Sequence, residues 1–305
     1  MVMQRSIWVA FALASIGWGS GSPVARLLLD RGLSPYELVL FRSAIAALAI
    51  VVYLAVRSQL RAGRIAVTVG LVMAFTSLAL PFVLSTIALQ YASAGFVALP
   101  GALIPLMTAG MAHFLLPGDR ISPAKVIGMT LGLAGAIILL TSGDSGLVAG
   151  GRPGLAGALG LASAFSIAAG SVYAKQHVDG YETLEVAGVQ FVAGAAMILA
   201  ATLVAEGGPA VPDGGSWLLL LYMGLVSTFV PFVAYYWLLR RISASFASTI
   251  GYIVPLIAVV AGIVLVDELL QTGIVVGGAL ILLGVAVTDR LEARVKSRAA
   301  SRPGA

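Results

Sequence analysis

Long apolar runs interrupted by short polar or Gly/Pro-rich stretches set the pattern of this chain. Residues 65–118 carry no Asp, Glu, Lys or Arg. That stretch is too long for one bilayer crossing, which takes about 20 apolar residues, and about right for two. Similar breaks elsewhere divide the sequence into ten segments, at 6–28, 35–56, 65–89, 92–115, 123–142, 154–174, 184–205, 216–239, 243–266 and 271–289. The third and fourth are separated only by Gln90-Tyr91-Ala92-Ser93. The runs lack period-2 alternation and are about twice as long as a tilted β-strand needs, so they read as helices. Arg5 followed by an apolar run has the start of a signal peptide. The run is long enough to span, however, and has a partner later in the chain, so it reads as a retained helix. The pattern predicts an all-α polytopic membrane protein of ten transmembrane helices.

The chain also matches itself. Ser77, Pro81, Phe82, Leu89, Ser93, Ala94, Phe96, Gly101, Pro105 and Leu106 face Ser227, Pro231, Phe232, Leu239, Ser243, Ala244, Phe246, Gly251, Pro255 and Leu256 at a constant offset of 150. After a one-residue slip Asp119, Gly128 and Gly135 face Glu268, Gly277 and Gly284; upstream, Gly21 faces Gly170, Glu37 faces Glu185 and Arg42 faces Gln190. Two proline pairs and a Ser/Pro/Phe cluster at near-constant spacing exceed what membrane composition produces by chance. The reading is a first repeat at 1–143, an external linker at 144–153, a second repeat at 154–289 and a basic tail at 290–305. Five spans per repeat is an odd number, so the second must enter from the opposite side, making the repeats inverted. Inverted repeats are common in transporters, with substrate bound near the midplane between the halves.

Composition narrows this further. The 305 residues are 60% hydrophobic and 10% charged, with a net charge of +5 and no cysteine. So few charges cannot cover a soluble domain of this size, and disulfides and thiolate chemistry are excluded. The positive balance would suit nucleic acid but for its distribution. With the N-terminus inside, 14 of the 18 Lys and Arg fall in inner connections or the tail, only Arg31 and Arg152 lie outside, and Arg26 and Arg42 lie within spans. That is the positive-inside bias of a multi-pass inner-membrane protein with both termini cytoplasmic. It leaves no nucleic-acid partner, only the lipid bilayer and a small molecule.

Ten spans arranged as five plus five resemble the drug/metabolite transporter superfamily, specifically its EamA-type bacterial members. The resemblance rests on Gly17-Trp18-Gly19-Ser20, on Ser34-Pro35-x-Glu37 through Arg42, on the pair Pro105/Pro255, and on the Asp119 and Glu268 turns before a glycine-spaced last span. It covers essentially the whole chain. It implies translocation, often export of amino acids or other small metabolites, through a cavity lined by spans three, four, eight and nine with help from one and six. The chain departs from the pattern in span six, where Ile167 stands opposite Trp18.

Candidate chemistry follows the spans. Ser77, Pro81 and Ser85 recur at four-residue spacing on one helical face, as do Ser227, Pro231 and Tyr235. Proline within a span frees a carbonyl and bends the helix. The matched faces therefore read as a kinked polar lining, against the plainer reading of serines bonded back to their own helices. Ser248 with Tyr252 in span nine, and Trp18 with Ser22 in span one, add a hydroxyl and an aromatic on a shared face. These eight, Trp18, Ser22, Ser77, Ser85, Ser227, Tyr235, Ser248 and Tyr252, are the candidate substrate contacts. Arg42, Pro81, Pro105, Pro231 and Pro255 are candidates for gating or structure. Arg42 is well inside a span, where a charge is costly and points to function; it either meets a substrate carboxylate or snorkels outward. Glu37 and Glu185 read as helix caps, and Tyr236-Trp237 beside Arg240 as an interfacial belt. Glycines at four-residue spacing in spans five and ten suit close helix packing, either within the chain or in a weak homodimer.

No P-loop, zinc or nucleophile motif is present. The expectation is no enzyme, no catalytic residue, no metal and no cofactor. The spans hold no mid-membrane carboxylate relay. The expected function is alternating-access transport of a small neutral or zwitterionic metabolite such as an amino acid, outward. The rivals are another metabolite or drug class, or a lipid-flipping or structural membrane protein.

Overall fold

The computed structural model describes residues 2–59, 61–116, 122–147, 151–177, 180–239, 241 and 250–300. Their fold is helical throughout, with no strand among the described residues. Ten helices follow the ten apolar runs: α1 (Val2–Asp30), α2 (Pro35–Val56), α3 (Arg64–Leu89), α4 (Ala94–Leu115), α5 (Pro123–Thr141), α6 (Pro153–Gln176), α7 (Thr183–Glu206), α8 (214–239), α9 (Ile250–Val266) and α10 (Thr272–Ala300). Eight are long and apolar enough to cross a bilayer, and shorter apolar helices cover Ile253–Val266 and Thr272–Thr288. One boundary differs from expectation: the last helix does not end at 289 but runs on through the basic tail to Ala300.

Helix ends are set by local chemistry. Ser34 caps α2 in a capping box with Glu37: the Glu37 N–H donates to Ser34 Oγ (3.1 Å) and the Ser34 N–H to Glu37 Oε2 (2.9 Å). Ser93 caps α4 through the Phe96 N–H, so the short Gln90–Ser93 stretch does end α3.

The connections after α1, α3, α5, α7 and α9 gather on one face. Arg26 Nη1 donates to Leu89 O (2.6 Å), Ser93 N to Ser145 O (2.8 Å), Arg152 N to Tyr91 O (2.9 Å) and Leu269 N to Gly146 O (2.8 Å). Ala210 N donates to Glu37 Oε1 (2.7 Å). We call this the linker face. The opposite, tail face is tied by Gln176 Nε2 to Leu115 O (3.1 Å) and Gly63 N to Glu185 Oε2 (3.4 Å). Glu185 thus joins the α2–α3 connection rather than capping its own helix. Its repeat partner Glu37 makes the corresponding bond to the α7–α8 connection. The helices alternate in direction, so the chain enters the first five at the tail face and leaves them at the linker face, and it traverses the second five from the linker face to the tail face. That is an inverted repeat.

Helix packing obeys the same exchange. α1 packs on α8 and α9 as α6 packs on α3 and α4; α2 packs on α8 as α7 packs on α3; α2–α7 and α5–α10 pair with each other. In lipid there is little hydrophobic force between helices, so close packing must hold them together. The α5–α10 contact uses the expected glycines within the chain. A Cβ on Gly135 would fall 2.6 Å from Gly277 O and 2.9 Å from Ile281 N, and one on Gly284 would fall 2.6 Å from Gly128 O. Gly135→Ala is therefore expected to cost about 1–3 kcal/mol by overpacking against backbone. Gly101→Ala, where a Cβ meets nothing within 4 Å, should be neutral. Melting midpoints of the purified variants in detergent check the contrast; equal midpoints would remove this account of the interface.

Candidate functional site

The two matched prolines shape the middle of the molecule. Neither Pro81 nor Pro231 has an N–H to give, and the helix widens into a π segment just before each, at Phe75–Ala79 in α3 and Tyr222–Phe229 in α8. In α3 the Leu80 N–H bonds Phe75 O. The next carbonyl in that register, Thr76 O, would need the missing proline proton. α6 supplies a substitute: Ser166 Oγ donates to Thr76 O (2.8 Å). Ser163 Oγ donates to Pro81 O (3.2 Å) and lies 3.0 Å from Ser85 Oγ. At the corresponding place α1 presents Ala14 and Gly17, and the backbone of α8 comes close instead: a Cβ on Gly17 would fall 2.5 Å from Val226 O. The repeats share a shape and differ in how they complete it.

Pro105 opens the second part of α4, after a 3-10 stretch at Leu99–Leu103. Its repeat partner Pro255 sits inside the continuous helix Ile250–Val266.

The candidate residues divide into two groups. Ser77 and Ser227 lie at helix contacts, where a Cβ on Gly170 or Gly21 would run into their hydroxyls. Ser77 Oγ contacts Met73 Sδ at 3.5 Å, and Ser227 Oγ is buried without a partner. Ser85 belongs to the α3–α6 hydroxyl chain. Trp18 and Tyr235 come together in an aromatic cluster: Trp18 lies 5.4 Å from Tyr235 and edge-on to Phe232 at 5.5 Å, and Phe232 is edge-on to Phe191 at 5.1 Å. Ser22 is half-buried on α1. Ser248 lies outside the described residues; Tyr252 is on α9, with its side chain outside them. Toward the tail end of α8 the Arg241 guanidinium covers the Trp237 ring at 4.0 Å, as suits an interfacial position.

Arg42 does not snorkel to the linker face. Its Nε and Nη2 donate to Thr228 Oγ1 (3.3 and 2.8 Å), and its guanidinium carbon sits 4.2 Å from the centre of the Phe82 ring. Its repeat partner Gln190 is 1% exposed, with neither amide atom bonded. Phe82, Thr228, Gln190 and Phe232 join the candidate residues here; their signals in the sequence are the Phe82/Phe232 match, the Arg42/Gln190 match and the position of Thr228 beside Ser227.

Two further features lie off this centre. An apolar recess of about 870 Å³ opens on the outer side of α3, α4, α5 and α6, lined by residues including Leu80, Met107, Met129, Leu133, Phe165 and Ser166. On the linker face Glu268 reaches from the α9–α10 connection to the first turn of α4, accepting from Ala94 N at 2.5 Å and Gly95 N at 3.4 Å. Burial pushes the Glu268 carboxyl above the usual carboxylate range. The two N–H bonds and the Arg26 charge pull it back, and the Asp30 charge adds to the rise. Its repeat partner Asp119 lies outside the described residues.

A bundle of ten apolar helices in two inverted halves, joined by an aromatic cluster at α1–α8 and a hydroxyl chain at α3–α6, has the build of a polytopic membrane carrier. The comparisons agree. The EamA-like transporter family model matches twice, at residues 5–141 and 155–288, and the chain belongs to that family of membrane transporters. A "Probable terminal-alkyne amino-acid exporter" of Streptantibioticus cattleyicolor is 25% identical over 100% of this chain and 99% of its own. The "Uncharacterized transporter YvbV" of Bacillus subtilis is 24% identical over 94% and 92%, and the "Uncharacterized inner membrane transporter YedA" of Escherichia coli 29% identical over 60% and 57%. A solved crystal structure with 22% identity shares the fold, at TM-score 0.65 over 95% of this chain and 99% of that one.

Two outcomes are expected. Ser166→Ala leaves Thr76 O without a donor and should cost about 1–3 kcal/mol, read as a lower melting midpoint; an unchanged midpoint would show that water or another group satisfies it. Glu268 has a raised value in the folded state, so its contribution is present below the ordinary glutamate range and is lost as pH rises through the raised value. Wild type should therefore lose stability with rising pH across that window more steeply than Glu268→Gln. Parallel pH profiles of the two would refute this.

Proposed function

We propose that this transporter moves a small neutral or zwitterionic metabolite, an amino acid in the first instance, outward across the bacterial inner membrane by alternating access. The observation that carries the reading is the pair of contacts between the inverted halves, 1–143 and 154–289: an aromatic cluster of α1 and α8 and a hydroxyl chain of α3 and α6. Trp18, Phe232 and Tyr235 offer stacking surface, while Ser85 and Ser163 offer hydroxyls. Inverted units give two conformations of similar energy, one open to each side. The basic bias of the connections supports a cytoplasmic tail face, with both termini on that side. The name of the full-length relative from Streptantibioticus, an amino-acid exporter, supports both the substrate class and the direction. The apolar recess on α3–α6 favours one rival, lipid movement, which a labelled-lipid scrambling assay separates.

The test is uptake and efflux in proteoliposomes across an amino-acid and metabolite panel, with and without a pH gradient. Flux of at least one amino acid is expected, and none at all would sink the substrate class. Tyr235→Ala and Ser85→Leu should each change KM or rate while the protein still folds. Unchanged kinetics in both would remove these residues from the path.

A further inference from the structure

Arg42 carries a charge that its surroundings do not balance. It lies seven residues beyond Pro35, ~10 Å along α2 from the linker end. Its side chain points into the protein, to α8 and α3. The acceptor it finds, Thr228 Oγ1, is neutral and gives its own proton to Met223 O (2.8 Å). Nη1 has no acceptor, and no carboxylate pairs with Arg42 among the described residues; the ion pair there is Arg26–Asp30. Phe82 covers one face of the guanidinium, and Nη1 makes no hydrogen bond among the described residues. A half-buried cation within a span and without a counter-charge is costly. A brace between α2 and α8 does not need one, since a neutral amide bonds a hydroxyl as well. The second repeat has such an amide, Gln190, at the matched position on α7.

The surroundings continue along one stripe. Thr228, Phe232 and Tyr235 are spaced i, i+4, i+7 on α8 and share a face. Phe232 is one turn, ~6 Å, from Thr228, and meets Trp18 of α1 and Phe191 of α7. Phe191 adjoins Gln190, the buried amide without partners. An unbalanced cation with an unused donor and an apolar aromatic surface thus lie along the same face.

We infer that Arg42 is the specificity-determining contact of this transporter, and that it takes the carboxylate of the substrate. The carboxylate bonds the guanidinium edge at Nη1, the geometry in which arginine recognises planar anions, and the apolar body rests on Phe232 and Trp18. One fixed positive charge neutralises one carboxylate. A phosphate dianion would leave a net negative charge beside Arg42, so the class is solutes with one free carboxylate; in a zwitterionic amino acid the ammonium lies away from Arg42 and takes other acceptors. This rests on the transport reading and adds to it the requirement of a free carboxylate.

The experiment measures melting midpoints of the purified protein with the standard L-amino acids, their matching amides and inorganic phosphate, and counterflow of the same compounds in proteoliposomes. At least one free acid should raise the midpoint, with its amide and phosphate about tenfold or more weaker. Arg42→Gln should abolish that preference, and Arg42→Lys, which keeps the charge and loses the fork, should weaken it. An amide as effective as its acid, phosphate as the preferred ligand, no response to any acid, or a preference retained in Arg42→Gln each overturns the assignment. Should Arg42→Gln fail to fold, the acid–amide comparison in wild type and in Arg42→Lys still decides. Acid-selective binding without flux would remove the transport reading and keep Arg42; flux without acid preference would do the reverse.

Discussion

A bilayer offers no water to a stray backbone carbonyl, and that constraint organises the centre of this molecule. Pro81 and Pro231 remove one N–H each from helices that must cross the apolar core. The helices widen into π segments at Phe75–Ala79 and Tyr222–Phe229, and a neighbouring helix has to come close enough to complete the structure. In one half the completion is chemical, through Ser163 and Ser166 of α6. In the other it is steric, through Gly17 of α1 against the Val226 carbonyl and the Pro231 ring. The positions of α1 and α6, and so of the aromatic cluster and the hydroxyl chain, follow from how each answers the same missing proton.

The other source of order is contact distance. Apolar side chains gain little by leaving lipid for protein, so helices are held where small residues let backbones meet. Gly21 and Gly170 admit the hydroxyls of Ser227 and Ser77, and the α5–α10 pair closes on Gly128, Gly135, Gly277 and Gly284. Polar connections then fasten the two faces. On the linker face the α3–α4 turn, the inter-repeat linker and the α9–α10 connection are joined by backbone bonds and by Glu268, so that the two halves are fastened to each other on this side.

Much of the architecture was legible in the sequence. Span positions follow from hydropathy, and the inverted duplication from proline and phenylalanine matches that the packing exchange reproduces. The site was less legible, for identifiable reasons. Serine at i, i+4 spacing signals a helical face but not what lies opposite, and for Ser77 and Ser227 that is a glycine on another helix. The importance of Thr228 and Phe82 comes from an arginine distant in sequence, which no local periodicity reveals. Gln190 was seen as the neutral partner of Arg42, but its burial depends on three-dimensional packing. The π segments have no simple sequence signature beyond the proline that follows them.

The difference between the halves has a thermal consequence. Parting α6 from α3 wets hydroxyls and carbonyls, whereas parting α1 from α8 wets the rings of Trp18, Phe232 and Tyr235. Exposing apolar surface raises heat capacity and exposing polar surface lowers it. The two contacts therefore respond to temperature along different curves. Their relative strength is then not a constant of the fold but a function of temperature, set by a handful of residues on two helices at matched places in the repeats.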